Sequence, residues 1–98
     1  KIFELIKNKI SSQNIFWGID MDSIKASDAP GVSAPSPTGL TSEQIIAIAK
    51  FAGSFTQSKI FEITEMNPLF DIDHRTAKLA GHLILNFINQ KNKIENVV

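Results

Sequence analysis

A short, unbroken apolar run that stops at two acids constrains this chain more than any other feature. It reads Ile15-Phe16-Trp17-Gly18-Ile19-Asp20-Met21-Asp22 and passes into a Pro/Gly/Ser-rich stretch from Ser23 to Gly39. Seven residues rich in β-formers, apolar at nearly every position, predict a strand over 15–21 buried on both faces, as in a parallel sheet. Carboxylates at i and i+2 of an extended segment point to one side. Two such acids at a strand end ionise together at low cost only if a cation lies between them. The pattern is that of a metal site with a loop attached.

Around this strand the chain alternates. Ile2, Phe3, Ile6 and Ile10 share one face of a predicted helix over 2–10, and Ser11 to Asn14 are turn residues. Pro30, Pro35 and Pro37 with Gly31 and Gly39 exclude long regular structure between Ser23 and Gly39, and a loop of that length is usually functional. Thr41-Ser42-Glu43-Gln44 has the form of a capping box, followed by a buried stripe of Ile45, Ile48, Ala49 and Ala52, with Gly53 as the stop. Lys59 to Glu65 alternates as a strand that must end before Pro68. Asp71 or Asp73 can cap a last helix running to about Gln90, its wide apolar face made of Leu79, Leu83, Phe87, Ala80, Ile84 and Ile88. Residues 91–98 are expected to fray.

Helix, strand, loop, helix, strand, loop, helix predicts an α/β layer structure with parallel strands and right-handed crossovers. Two apolar parallel strands need more sheet and more helix around them, so the 98 residues read as part of a larger α/β domain. The opening Lys1-Ile2-Phe3-Glu4-Leu5, already in helical pattern, gives the same expectation of a chain continuing upstream. Ten basic residues balance ten acidic ones, which argues against a nucleic-acid or anionic-lipid partner. No apolar run approaches the ~20 residues that span a bilayer. The absence of cysteine removes thiolate ligands and disulfides and fits a reducing, cytoplasmic setting.

Ligands of open α/β sheets bind outside the carboxyl ends of the strands. Asp20 and Asp22 end the first strand and Glu65 the second, so all three are expected on one rim. At this point the residues also resemble a family. Gly18-Ile19-Asp20-Met21-Asp22, then Ala26, Pro30-Gly31 and Gly39, is similar to a metal-binding signature of the ureohydrolases: arginase, agmatinase and formimidoylglutamase. Glu65-Met66-Asn67-Pro68 followed by Arg75-Thr76-Ala77 and Leu79-Ala80 resembles the family's closing segment. Gly18 departs from the Ser or Thr usual there. The loop Pro30-Gly31-Val32-Ser33-Ala34-Pro35 is more similar to formimidoylglutamases than to arginases, and Ala34 stands where a threonine hydroxyl would favour arginine.

The resemblance implies the C-terminal part of a three-layer α/β/α fold and a binuclear manganese hydrolase of linear C–N bonds. Formimidoylglutamate is the small-molecule substrate it points to, and arginine or agmatine the alternatives. It implies that Asp20 bridges two Mn²⁺ ions, that Asp22 chelates one, and that Glu65 holds the amidinium-like end of the substrate by charge-assisted hydrogen bonds. The Ser33 and Ala34 segment would line the pocket, and the whole protein would be a trimer or hexamer. Paired divalent ions acidify a shared water and aim it at an electrophilic carbon.

His74 and His82 are read as non-ligands, Asp28 as a loop cap, and Trp17 and Phe16 as core. Arg75 has Asp71, Asp73 or a neighbouring subunit as candidate partners. A rival enzyme reading takes Asp20-x-Asp22 as an aspartate-phosphatase nucleophile motif, but Ser23 and Lys25 fit that motif poorly. A third reading is a non-catalytic fragment or assembly module: a binuclear site needs about six protein ligands, and this rim offers two.

Overall fold

The computed structural model describes residues 1–10 and 13–95. Helix α1 (Ile2–Lys9) leads to strand β1 (Ile15–Asp20), and a one-turn 3₁₀ helix (Met21–Ser23) opens the long loop. Helix α2 (Ser42–Gly53), strand β2 (Ser58–Thr64), a second 3₁₀ turn (Pro68–Phe70) and helix α3 (Arg75–Glu95) complete the chain. The strands pair in parallel, with Trp17 opposite Phe61, Ile19 opposite Ile63 and Asp20 opposite Thr64. This is the expected α/β arrangement around a parallel sheet. Of the expected turn over 11–14, residues 11 and 12 lie outside the described residues, as do 96–98 of the expected frayed tail.

One face of the sheet is covered. Trp17 packs edge-on against Phe51 of α2 and its Nε1 donates to Ser58 Oγ, while Phe61 stacks on Phe87 of α3 at 4.6 Å. Ile19, Ile45, Ala49, Leu79, Ala80 and Leu83 join Met21, Ile24, Ala29 and Val32 in one core. Each fully buried Ile, Leu, Val or Met side chain among them stabilises the fold by about 1.5–3 kcal/mol relative to exposure. The opposite face is open: Phe16 is 61% exposed and its partner Ile60 54%. Among the described residues nothing covers the Phe16 face, so the expected burial of this strand on both faces, with Phe16 in the core, is not met within these residues. The described helices α2 and α3 pack on one side, and side-chain alternation sends Phe16 to the other.

The capping box forms as read: Thr41 Oγ1 accepts from Gln44 N and Gln44 Oε1 accepts from Thr41 N. Gly53 is the last residue of α2, as expected, but it forms no left-handed cap. The backbone of α3 passes so close that a Cβ on Gly53 would lie 2.5 Å from the Phe87 carbonyl oxygen. Small residues at this crossing (Ala49, Ala52 and Gly53, all buried) set the α2–α3 distance.

Three further expectations change. The apolar face of α1 is covered only in part: Phe3 stacks on Phe51 at 4.4 Å, while Ile2 and Ile6 stay exposed. The last helix runs to Glu95 rather than Gln90, held by Lys91, whose Nζ bonds Glu95 at 2.6 Å and the Phe55 carbonyl at 3.3 Å. Ile84 and Ile88 are exposed because α2 and the sheet cover only the stripe of Thr76, Leu79, Ala80 and Leu83. Gly53→Ala is expected to destabilise by about 1–3 kcal/mol, since α3 must shift to admit the methyl; urea denaturation of the variant measures it.

Candidate functional site

The first strand ends one residue earlier than its apolar run suggests. Asp20 closes β1, and its Oδ1 accepts the backbone N–H of Asp22 at 2.9 Å. That bond turns the chain into the 3₁₀ helix, because a short acidic side chain competes for a backbone donor two residues on. Asp20 and Asp22 are thus neighbours through an Asx-type turn, not through the two-residue period of a strand, which corrects the geometry expected of them. Ser23 Oγ donates to the Asp20 carbonyl and fixes the turn further.

The loop that follows is compact. At its base Lys25 N donates to Leu40 O and Leu40 N to Ser23 O, with Gly39 at φ +145°, where a Cβ would meet Ser23 O at 2.6 Å. Ile24, Ala29 and Val32 are fully buried under it, and Asp28 Oδ2 accepts from Ser42 N at 2.7 Å, so Asp28 ties the loop to the first turn of α2. The outgoing limb then returns to the rim. Ala34 N donates to Asp22 Oδ1 at 3.0 Å, and Ser33 N donates to the Glu65 carbonyl at 3.0 Å.

Glu65 follows β2 directly and has φ +68°. This left-handed conformation is uncommon for a residue with a long side chain. It swings the next residues across the rim, where Met66 bridges Val32 in antiparallel fashion and Asn67 N donates to Gly31 O. All five residues singled out in the sequence therefore meet at the carboxyl ends of the strands: Asp20, Asp22, Ser33, Ala34 and Glu65. Asp22 is half-buried and the other four are exposed. One oxygen of each aspartate is held by a backbone N–H, and the Oδ2 atoms of both make no hydrogen bond among the described residues. The three acids share the rim, yet among the described residues no group of three or more His, Cys, Asp or Glu is placed to hold a metal ion.

Sequence reasoning missed the support beneath this rim. Thr76, fully buried at the start of α3, accepts the Gly31 N–H on its Oγ1 at 2.8 Å. Asp71, not Asp73, caps the helix, its Oδ1 accepting from Ile72 N and Thr76 N and its Oδ2 from Ala77 N. Asp73 and His74 instead take left-handed conformations before the first turn. Arg75 pairs with neither acid and reaches the Ser27 carbonyl at 3.5 Å. The Arg75-Thr76-Ala77 motif was visible, but nothing in its spacing says that the hydroxyl reaches back 45 residues.

A groove of about 610 Å³ lies away from the rim, with Arg75, Lys78 and His82 on one wall and Asp28 and Ser42 on the other. None of the five rim residues lines it. Its size does not make it the site, because the oriented acids are elsewhere.

A parallel α/β unit with oriented acids and an ordered loop at the carboxyl ends of its strands belongs to the class that binds its ligands there. The model of the arginase family matches residues 1–89, and the chain belongs to that family. It is similar to a formimidoylglutamase of Macrococcus caseolyticus, 37% identical over 92 residues that make up 93% of this chain and 30% of that protein. Among solved structures it is similar to the Trypanosoma cruzi formiminoglutamase with Mn²⁺ (TM-score 0.81, 26% identity, 91% of this chain and 31% of that one). It is also similar to the proclavaminate amidino hydrolase of Streptomyces clavuligerus (TM-score 0.83, 27% identity, 92% and 30%). The chain thus spans about 30% of the length of the Macrococcus relative. No described helix is long and apolar enough to cross a membrane.

Burial raises the pKa of Asp71, and the hydrogen bonds from Thr76 backbone and hydroxyl, Ala77 and Ile72 outweigh it, leaving the carboxyl below its ordinary 3.8. A depressed folded pKa contributes stability above the unfolded value that is lost as pH falls through the folded one. Asp71→Ala is therefore expected to cost about 1 kcal/mol at pH 7. The difference from the parent should shrink once pH drops below 3.8; urea midpoints of both proteins across that range check it.

Proposed function

We propose that the protein carrying this chain hydrolyses a linear C–N bond of the amidine or guanidine type, converting N-formimidoylglutamate and water to glutamate and formamide. The observation that carries this reading is the rim itself: two aspartates, each oriented through Oδ1 by a backbone N–H, with neither Oδ2 hydrogen-bonded among the described residues. Such a donor pair fits Mn²⁺, which favours carboxylate oxygen. Asp20 and Asp22 would be its ligands from this chain, and further ligands would come from elsewhere in the protein. When bound, the manganese pair supplies the Lewis acidity that makes water a competent nucleophile at neutral pH.

The chain's own residues position the reactants. Oδ1 of each aspartate is already committed to the backbone, so metal binding needs no side-chain search and little entropy is lost. Glu65, exposed at the rim, would pair with the cationic amidinium by charge-assisted hydrogen bonds and keep its carbon electron-poor. Ser33 and Ala34 would line the pocket as backbone, since their N–H groups are spent on Glu65 and Asp22. Similarity to formimidoylglutamases and the Ala34 side chain, which offers no hydroxyl, support this substrate over arginine or agmatine. The same reading makes the protein a cytoplasmic homo-oligomer, trimeric or hexameric.

Whole protein supplied with Mn²⁺ is expected to release formamide from N-formimidoylglutamate. Asp20→Asn should lower that rate more than about 100-fold, beyond the 10–100-fold typical of outer-shell partners. Release of urea from arginine or agmatine in its place would overturn the substrate assignment. The 98 residues alone are expected to bind Mn²⁺ weakly, and calorimetric titration showing two tight sites on them would refute the shared-site reading.

A further inference from the structure

The hydroxyl of Thr76 lies buried under the rim and accepts from Gly31 N at 2.8 Å, while the Thr76 backbone N–H donates to Asp71 Oδ1 at 2.9 Å. Gly31 packs closely on the segment that leads into α3, since a Cβ there would lie 2.7 Å from the Asp71 side chain. From Gly31 the loop acts on both parts of the rim. Its carbonyl accepts from Asn67 N, just beyond Glu65, and three residues downstream Ala34 N holds Asp22. A shift of about 1 Å passed from Gly31 to Ala34 would stretch the 3.0 Å Ala34–Asp22 bond beyond hydrogen-bonding range.

We infer that Thr76 is a positioning residue: through the Gly31 N–H it sets the loop so that Ala34 orients Asp22 toward the metal. The inference rests on Asp22 being a manganese ligand, as proposed above. It makes the start of α3 part of the site's support without contact to metal or substrate. The competing account is that burial of Val32 alone fixes the loop, with Thr76 serving only to satisfy a buried donor.

The two accounts separate in the whole protein with Thr76→Val and Thr76→Ser, read by calorimetric Mn²⁺ affinity and by hydrogen exchange at the Ala34 amide in metal-free protein. Thr76→Val is expected to weaken Mn²⁺ binding about 10-fold and to speed Ala34 exchange, with Thr76→Ser restoring both. Thr76→Ala serves the same purpose if the valine variant does not fold. A lower Tm with unchanged Mn²⁺ affinity and unchanged Ala34 exchange would overturn the inference and leave Thr76 purely structural. Asp22→Asn, run alongside, tests the foundation: if it binds Mn²⁺ as tightly as the parent, the metal reading fails and the inference with it.

Discussion

Parallel pairing of β1 with β2 is the constraint from which the rest follows. Parallel strands cannot be joined by a hairpin, so the chain must travel back along the sheet, and it does so as α2. The same geometry sends the carboxyl ends of both strands to one edge. Residues 45 apart in sequence, Asp20 and Glu65, then stand at neighbouring strand ends. A single antiparallel reversal would have put them at opposite ends and left no rim to build on.

Much of this was legible from the residues. The apolar run over 15–21 marks a strand because it is too short for a helix and rich in β-formers. Thr41 and Gln44 mark a helix start because their side chains can close on each other's backbone. The shared rim was legible for a related reason: acids that end neighbouring parallel strands must come to one edge, as Asp20 and Glu65 do. Other features arise outside the local sequence pattern. Periodicity tells that Phe16 differs in face from Trp17, but not which face the described helices cover. Helix propensity could not reveal that Lys91 would bind Glu95 and the Phe55 carbonyl and so carry α3 onward. The Asx turn at Asp20 competes with the strand only once β2 has fixed where pairing ends. Gly53 both ends α2 and lets α3 pass close by, and the second role does not show in the residues around it.

The long loop shows how a Pro- and Gly-rich segment becomes ordered without regular structure. Its base is closed by backbone bonds around Leu40, its middle is filled by Ile24, Ala29 and Val32, and its far limb hangs from Asp22 and Glu65. Each anchor shortens the free segment, and the entropy of closing what remains grows only slowly with length. The acids and the loop therefore order one another. The bond that orients Asp22 is the same bond that holds Ala34.

The backbone of Glu65 has a consequence for how this position can drift. A left-handed conformation at a residue with a Cβ costs about 1–2 kcal/mol, a cost that glycine escapes and asparagine reduces. Stability alone would thus favour Gly or Asn at position 65, and the substrate-holding role proposed for the Glu65 carboxylate gives glutamate a reason to stand there that stability does not. On that proposed role the residue is a natural reporter: among chains of this fold, a Gly or Asn at that point would mark one that keeps the scaffold without using the acid.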